Sequence, residues 1–121
     1  MAYVTRASGT RALLEPVDGL ALGVPRVIAT PYPNGATITM LMVTITATAP
    51  AAADTGGAEI QMNGVPIASF LMTGSAAHLI TGAQDSTLVA FLLPNCVYEV
   101  VSLATATGTA VITAWTEVTL F

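Results

Sequence analysis

Apolar and polar residues alternate most regularly just before an Asn-Gly pair in the middle of the chain. Residues 59–62, Glu-Ile-Gln-Met, follow the period-2 pattern of a strand with one buried face. Asn63 and Gly64 come next, and both residue types tolerate the positive φ angles of a two-residue type I′ turn. In the return strand, Pro66 should lie at the start or on an open edge, because proline cannot donate to a ladder. The pattern predicts a β-hairpin over residues 56–67.

The longest predicted strand covers residues 37–48, and its apolar side chains change parity part-way along. One face of its first half is formed by Ile38, Met40 and Met42. In its second half, Ile45 and Ala47 occupy the opposite parity, between threonines. We expect either a β-bulge near residues 41–43 or a middle section that is buried on both faces, the second face by an oligomer contact.

The rest of the chain from residue 25 onward is also a series of short predicted strands. Residues 87–93 are apolar at both parities, which predicts a strand buried on both faces. β-Branched residues are frequent and good helical patterns are absent, so about eight strands are expected, with turns roughly every 8–12 residues. This pattern is typical of a sandwich, a jelly roll or a barrel. We predict an all-β protein in which residues 25–121 form one domain with one of these three architectures.

Residues 1–24 have no clean period, and glycine and proline interrupt any helix longer than roughly two turns. We predict an extended N-terminal arm that needs a surface to lie on, because its leucines would otherwise be exposed to solvent. All three arginines lie at the front of the chain. The residues that we expect to bind a partner surface are Arg6, Arg11, Leu13, Leu14, Leu20, Leu22 and Arg26.

The composition is unusual for a surface in contact with water. Hydrophobic residues make up 54% of the chain and charged residues 8%, against about 25% charged residues in an average soluble domain. Either the surface is neutral and rich in threonine, or much of it is buried in an oligomer or larger assembly. We favour assembly, because large exposed apolar areas are uncommon on monomers. No Lys or Arg follows Arg26, so the sheet edges lack the charges that commonly protect them.

The charge distribution also excludes several classes of partner. The net charge is −4, and every charged residue after Arg26 is acidic, so we expect binding neither to nucleic acid nor to an anionic membrane. Cys96 is the single cysteine, which excludes an intrachain disulfide. No secretory signal is recognisable, and the longest apolar stretch is shorter than a transmembrane helix requires. We therefore expect synthesis in a host cytoplasm.

Candidate catalytic and metal-binding residues are few. Asp54-Thr55-Gly56 matches the triplet of aspartic proteases, but it follows small loop residues instead of an apolar strand, so a structural loop aspartate is the better interpretation. His78 and Cys96 could act as a nucleophilic pair only with a third, orienting group. One His and one Cys cannot make a zinc site, and the spacing of the carboxylates gives calcium no support. We expect no catalytic residue, no metal and no cofactor.

Several large apolar residues could belong either to the core or to a contact between copies. Trp115 and Tyr98 fit both, since large aromatic residues dominate the energetics of cores and of interfaces. A carbohydrate site built on an exposed tryptophan is a further alternative. The methionines could equally be core fillers. The candidates for an oligomer interface are Met40, Met42, Phe91, Tyr98 and Trp115.

The hairpin and its surroundings resemble a known family. Residues 56–67 (Gly-Gly-Ala-Glu-Ile-Gln-Met-Asn-Gly-Val-Pro-Ile) resemble the head domain of bacterial exosporium collagen-like glycoproteins, which belongs to the trimeric TNF-like jelly rolls. Residues 34–39 and 43–48 resemble the long strand before that hairpin, and residues 108–121 resemble the closing turn and strand. The Gly-aromatic-Tyr opening of that long strand is missing here. The resemblance covers residues 34–121 and implies that the domain at residues 25–121 is an antiparallel jelly-roll β-sandwich. It also implies a homotrimer with one sheet facing the three-fold axis and no catalytic residues.

These observations lead to one preferred hypothesis and two alternatives. We hypothesise a non-enzymatic structural protein of the virion, a homotrimer that decorates the shell of a tailed phage. Its partner would be the major capsid protein or another shell protein. By binding only the assembled shell, it would oppose disassembly through linkage. The alternatives are the head of a fibre or spore-surface protein that binds a receptor or glycan, and a hydrolase.

Overall fold

β-Strands account for all of the regular secondary structure in the part of the chain that the structure describes, residues 2–5, 11–14, 16–74 and 80–120. The structure is a computed structural model. In chain order its strands are β1 (Ala2–Thr5), β2 (Arg11–Leu14), β3 (Val17–Asp18), β4 (Tyr32–Pro33), β5 (Thr39–Ala49), β6 (Thr55–Met62), β7 (Val65–Thr73), β8 (Ile80–Leu92), β9 (Val97–Ser102) and β10 (Thr109–Thr119). Among these residues there is no helix of the length and apolar character needed to cross a bilayer.

Eight of the strands form two four-stranded antiparallel sheets that pack as a sandwich. Sheet I has the strand order β3-β10-β5-β8, and sheet II has the order β4-β9-β6-β7. From β3 onward, consecutive strands cross from one sheet to the other except at the hairpin of β6 and β7. This connectivity is that of a jelly roll, which confirms the predicted all-β class and the antiparallel jelly-roll β-sandwich.

The first two strands form a separate two-stranded sheet. β1 pairs antiparallel with β2, from Ala2 opposite Leu14 to Thr5 opposite Arg11. β3 belongs to sheet I, where it pairs with the C-terminal part of β10. Within the segment predicted as an arm, the described residues therefore include paired strands, and the last of these strands is joined to the sandwich.

The predicted hairpin is present as β6 and β7. Asn63 and Gly64 adopt φ angles of 51° and 79°, the signs that a type I′ turn requires. Ile60 is fully buried, as its parity predicted. Pro66 lies in β7 at the edge of sheet II, beside a register shift between Ile60 and Gln61. The position, the turn residues and the edge placement of the proline are all confirmed.

β5 is flanked by β10 and β8 in sheet I, and its residues alternate without a break between buried and half-buried. Its buried side chains are those of Thr39, Leu41, Val43, Ile45, Ala47 and Ala49. The bulge predicted near residues 41–43 is wrong, because Leu41 and Val43 carry the inward parity through the strand. Irregularities lie instead where β10 pairs around Ile112 and where β8 pairs with the end of β5. Met40 and Met42 therefore lie on the outer face of sheet I.

β8 alternates in the same way. Leu88, Ala90 and Leu92 are buried, whereas Val89 and Phe91 expose 48% and 57% of their surface. The prediction that residues 87–93 are buried on both faces is therefore wrong for the single chain. The second apolar face of this strand lies on the outside of sheet I, beside Met40 and Met42.

The core lies between the inner faces of the two sheets. Its largest fully buried side chains are those of Trp115, Tyr98, Leu41, Ile45, Ile60, Leu92, Val43 and Val100. Full burial of one Leu or Ile side chain is worth roughly 1.5–3 kcal/mol. Apolar residues from both sheets thus stabilise the sandwich, and the outer faces are free to differ.

Candidate interaction surface

The carboxylate of Asp54, the first residue of the protease-like triplet, has a structural role. The residue is only 2% exposed, and its two oxygens accept hydrogen bonds from the backbone N–H of Ala51 (2.8 Å), the backbone N–H of Thr107 (3.0 Å) and the hydroxyl of Thr107. The Thr107 hydroxyl and backbone lower the pKa of Asp54, with a smaller contribution from Ala51. Asp54 therefore fastens the β5–β6 loop to the turn before β10, which fits the loop-aspartate interpretation.

The other candidate chemical groups do not assemble into a site. His78 lies outside the described residues. Cys96 is buried beside the β8–β9 turn, and desolvation raises the pKa of its thiol. Across residues 2–5, 11–14, 16–74 and 80–120, no group of three or more His, Cys, Asp or Glu residues is placed to hold a metal ion.

Three aromatic rings form a cluster inside the sandwich. Tyr32 lies 5.9 Å from Tyr98 and 5.9 Å from Trp115 between ring centres, and Tyr98 and Trp115 are 6.5 Å apart. These distances are typical of favourable aromatic pairs. Trp115 and Tyr98 are each 1% exposed. They are core residues, which corrects the expectation that they lie at an oligomer interface. The alternative of an exposed tryptophan that binds carbohydrate is corrected as well.

Glu117 is the polar centre of this cluster. Its carboxylate accepts hydrogen bonds from the Tyr98 hydroxyl (2.8 Å), the Trp115 indole N–H (2.8 Å) and Nε of Arg26 (3.1 Å). Burial, with the hydrogen bond to Glu117 second, raises the pKa of Tyr98 far above its usual value. The Arg26 guanidinium also lies 4.3 Å from the centre of the Tyr32 ring. The negative charge of Glu117 is thus paired and fully hydrogen-bonded.

This arrangement changes the role expected for the end of the arm. Arg26 is half-buried and pairs with Glu117, so it belongs to the sandwich. This corrects the prediction that Arg26 lies on the arm and binds an acidic partner surface. Gly19 donates its N–H to the Trp115 carbonyl at 2.7 Å, and a Cβ at this position would overlap the Trp115 ring. Leu20 packs against the core, and Leu22 is half-buried.

The remaining arm candidates lie further towards the N-terminus. Arg6 lies outside the described residues. Arg11, Leu13 and Leu14 lie in β2, where their backbones pair with β1. β3 thus divides the predicted arm. The part after β3 is held on the sandwich, and the part before it has its own two-stranded sheet.

The outer face of sheet I carries a cluster of apolar side chains, which we call the apolar half. It consists of Met40, Met42, Val89, Phe91 and Val118. In the register of the sheet, Met40 lies between Val118 of β10 and Phe91 of β8, and Met42 lies opposite Val89. Asp18 of β3 lies at the rim, where its carboxylate accepts the N–H of Leu20.

Further along the same strands the outer face becomes polar, and we call this region the hydroxyl half. Its polar members are Thr44, Thr46, Thr48, Asp85, Thr87 and Thr109. Val111, which exposes 55% of its surface, lies opposite Thr46 in the same region. Thr44 bonds to Thr87 at 2.9 Å, Thr46 donates to Asp85 at 2.6 Å, and Thr48 bonds to Thr109 at 2.6 Å. These cross-strand pairs tie β5 to both of its neighbours.

The outer face of sheet II is different in character. Glu59 and Gln61 of β6 point outward between the buried Ala58 and Ile60, and the Gln61 amide donates to Glu59 at 2.8 Å. Glu99 of β9 lies directly opposite Gln61. Apolar side chains lie on this face as well, since Leu71 and Val97 expose 55% and 47% of their surface and Val101 lies opposite Glu59. The outer face of sheet II is therefore mixed, with two carboxylates among its apolar residues.

Comparison of the chain with family models, with curated proteins and with solved structures found no match. The function proposed below therefore rests on the sandwich and its surfaces. Of the interface candidates from the sequence, Met40, Met42 and Phe91 lie together on the outer face of sheet I. Val89 and Val118 complete that cluster and were missed, although the two-sided apolar pattern of residues 87–93 was a signal for Val89.

Proposed function

We propose that the protein is a non-enzymatic structural protein that forms a homotrimer and decorates a virion shell. The observation that carries this proposal is the apolar half of sheet I, where Val89 and Phe91 are exposed and Met40, Met42 and Val118 are half-buried although the sandwich already has a core. Large apolar patches on a protein surface mark interaction sites. A structural protein that functions by association needs such a surface and needs no catalytic centre.

The charge of the chain opposes contact between copies at most surfaces and restricts where they can meet. Each copy has a net charge of −4, so copies repel one another unless they meet where carboxylates are few. The five members of the apolar half are all uncharged, whereas the outer face of sheet II has Glu59 and Glu99. Apolar burial contributes about 25 cal/mol per Å² removed from water, which favours contact over the apolar half.

The number of copies is proposed from the resemblance of residues 34–121 to the TNF-like heads, which are trimers. The jelly-roll sandwich agrees with that resemblance. We propose that sheet I is the sheet that faces the three-fold axis, because its outer face is the apolar one.

Attachment to a shell is proposed for the segment before β3. This segment includes Arg6 and Arg11, whose positive charges suit an acidic partner surface. Residues after β3 are committed to the sandwich through Gly19 and Arg26. A protein that binds only the assembled shell stabilises it by mass action, which is the proposed mechanism of decoration.

Deletion of residues 1–16 tests this proposal and leaves β3 in place. The full chain and the deletion variant are incubated with virion shells stripped of the protein, and binding is measured by co-sedimentation. We expect the variant to lose attachment while keeping the oligomeric mass of the full chain. A second variant, R6S together with R11S, should weaken attachment more at low ionic strength than at high. Undiminished attachment of the deletion variant would contradict the proposed decoration mechanism.

A further inference from the structure

The chain contains two Asn-Gly pairs, Asn34-Gly35 and Asn63-Gly64, which have the same local chemistry. In such a pair the glycine nitrogen, after losing its proton to water or hydroxide, can attack Cγ of the asparagine, because glycine has no side chain to hinder the approach. The Cγ–Nδ2 bond then breaks, Nδ2 takes up a proton and leaves as ammonia, and a five-membered succinimide remains. Water opens this ring to aspartate, or to isoaspartate with one additional carbon in the main chain.

The structure holds the side-chain amide of Asn34 by both of its polar atoms. Nδ2 donates to the carbonyls of Thr37 (2.9 Å) and Leu93 (2.8 Å), and Oδ1 accepts the hydroxyl of the buried Thr39 (2.8 Å). The residue is half-buried. Attack by the Gly35 nitrogen requires Cγ to turn and Nδ2 to leave, and both movements break these hydrogen bonds. The fold therefore protects Asn34.

Asn63 has the opposite environment, at the exposed tip of the β6–β7 hairpin. Its Oδ1 accepts the Val97 N–H at 2.9 Å, and Nδ2 has no hydrogen-bond partner among the residues that the structure describes. The donor from Val97 lies on the oxygen that gains negative charge when the Gly64 nitrogen adds to Cγ, which favours the addition. A Cβ built on Gly64 would meet nothing within 4 Å, so the turn has room to change conformation.

We infer that Asn63 is a site of spontaneous deamidation in the native protein, whereas the fold preserves Asn34. Either product makes the chain one unit more negative than its formal charge of −4. Isoaspartate also lengthens the main chain in a two-residue turn whose geometry depends on the φ angles of Asn63 and Gly64. Since the Asn63 N–H donates to the Val97 carbonyl at 2.7 Å, this product should loosen the contact between the hairpin and β9.

The two asparagines of the unmodified chain provide a matched test. The native protein is incubated at mildly alkaline pH in heavy-oxygen water, which labels only the residues that react during the incubation, and the label at each asparagine is measured by mass spectrometry of peptides. We expect Asn63 to react at least about tenfold faster than Asn34, because several hydrogen bonds must open first at Asn34. In denaturant the two rates should be similar, since glycine follows both. Equal rates in the native protein, or a faster reaction at Asn34, would overturn the inference.

A pair of substitutions on β5 tests the cause of the protection. Thr39→Val removes the hydroxyl that holds Asn34, and we expect the rate at Asn34 to rise roughly 2- to 12-fold, as for loss of one hydrogen bond. Thr46→Val removes a hydroxyl that bonds to Asp85 instead, and should leave both rates unchanged. Fluorescence of the buried Trp115 shows whether each variant is folded. An unchanged rate at Asn34 in folded Thr39→Val would overturn the inferred protection.

Discussion

The two sheets of this sandwich are alike on the inside and different on the outside. Both inner faces are built from buried apolar residues, such as Val43 in sheet I and Val100 in sheet II. On the outside, sheet II presents the carboxylates of Glu59 and Glu99 among apolar residues such as Leu71 and Val97. Sheet I presents the uncharged apolar half and then the hydroxyl half. A sheet that only has to fold needs one apolar face. The second apolar face of sheet I is not part of the core, and it is the surface over which we propose that copies meet.

The two outer faces should differ most when the same charge is placed on each of them. Phe91→Asp alters the apolar half, and Val101→Asp alters the outer face of sheet II, where Val101 lies opposite Glu59. We expect Phe91→Asp to weaken self-association by about 3–4 kcal/mol, because a desolvated aromatic anchor is replaced by a charge. Val101→Asp should leave the oligomeric mass unchanged in sedimentation equilibrium. Equal effects of the two substitutions would mean that the faces do not differ in function.

A second substitution tests whether the aromatic cluster belongs to the fold and not to a contact between copies. Glu117→Ala removes the acceptor of Tyr98, Trp115 and Arg26. We expect a loss of about 2–4 kcal/mol in the free energy of unfolding, since two buried donors and a half-buried cation lose their partner. Denaturant unfolding at a fixed protein concentration measures this loss.

The matched control for that experiment is Glu117→Gln, which keeps one acceptor oxygen and should lose less stability. Both variants should have the oligomeric mass of the native chain under conditions where they are folded. A variant that stays fully stable but dissociates would place the cluster at an interface and contradict its assignment to the core.

The smallest expected effect is the change with pH of the folding stability that Asp54 contributes. Hydrogen bonds from Thr107 lower the pKa of Asp54 below its ordinary value of 3.8, so the folded state binds this proton more weakly than the unfolded state. The stability from Asp54 is therefore complete above pH 3.8 and is lost as the pH falls through the lower folded-state value. Asp54→Asn should lower stability at neutral pH and reduce this acid sensitivity, as measured by denaturant unfolding at several pH values. An unchanged acid profile would contradict the role of Asp54 in fastening the loop.

The sequence predicted the fold well where local chemistry decides the structure. Asn63 and Gly64 specify their own turn, and the neighbouring period-2 pattern specifies the strands that it joins. The parity of β5 was not predictable in the same way, because apolar residues occupy both faces of its first half. Periodicity identifies an amphipathic strand, but it cannot tell the inner face from the outer face when both are apolar.

Long-range contacts explain the remaining differences at the candidate site. Arg26 and Glu117 are 91 residues apart in the chain, and no local pattern indicates that they pair. Because of this pairing, Arg26 belongs to the sandwich and not to the predicted arm. The location of Trp115 inside the sandwich likewise depends on Gly19, which leaves room for the indole ring.

Methionine oxidation measures whether the apolar half is buried between copies, because Met40 and Met42 belong to this surface in the unmodified chain. The native protein and Phe91→Asp are treated with dilute hydrogen peroxide, and sulfoxide at each methionine is measured by mass spectrometry, with Met62 of the β6–β7 hairpin as the internal reference. We predict that Met40 and Met42 oxidise slowly in the native protein and faster in Phe91→Asp, relative to Met62. Equal relative rates in the two proteins would contradict the claim that copies of the chain bury the apolar half.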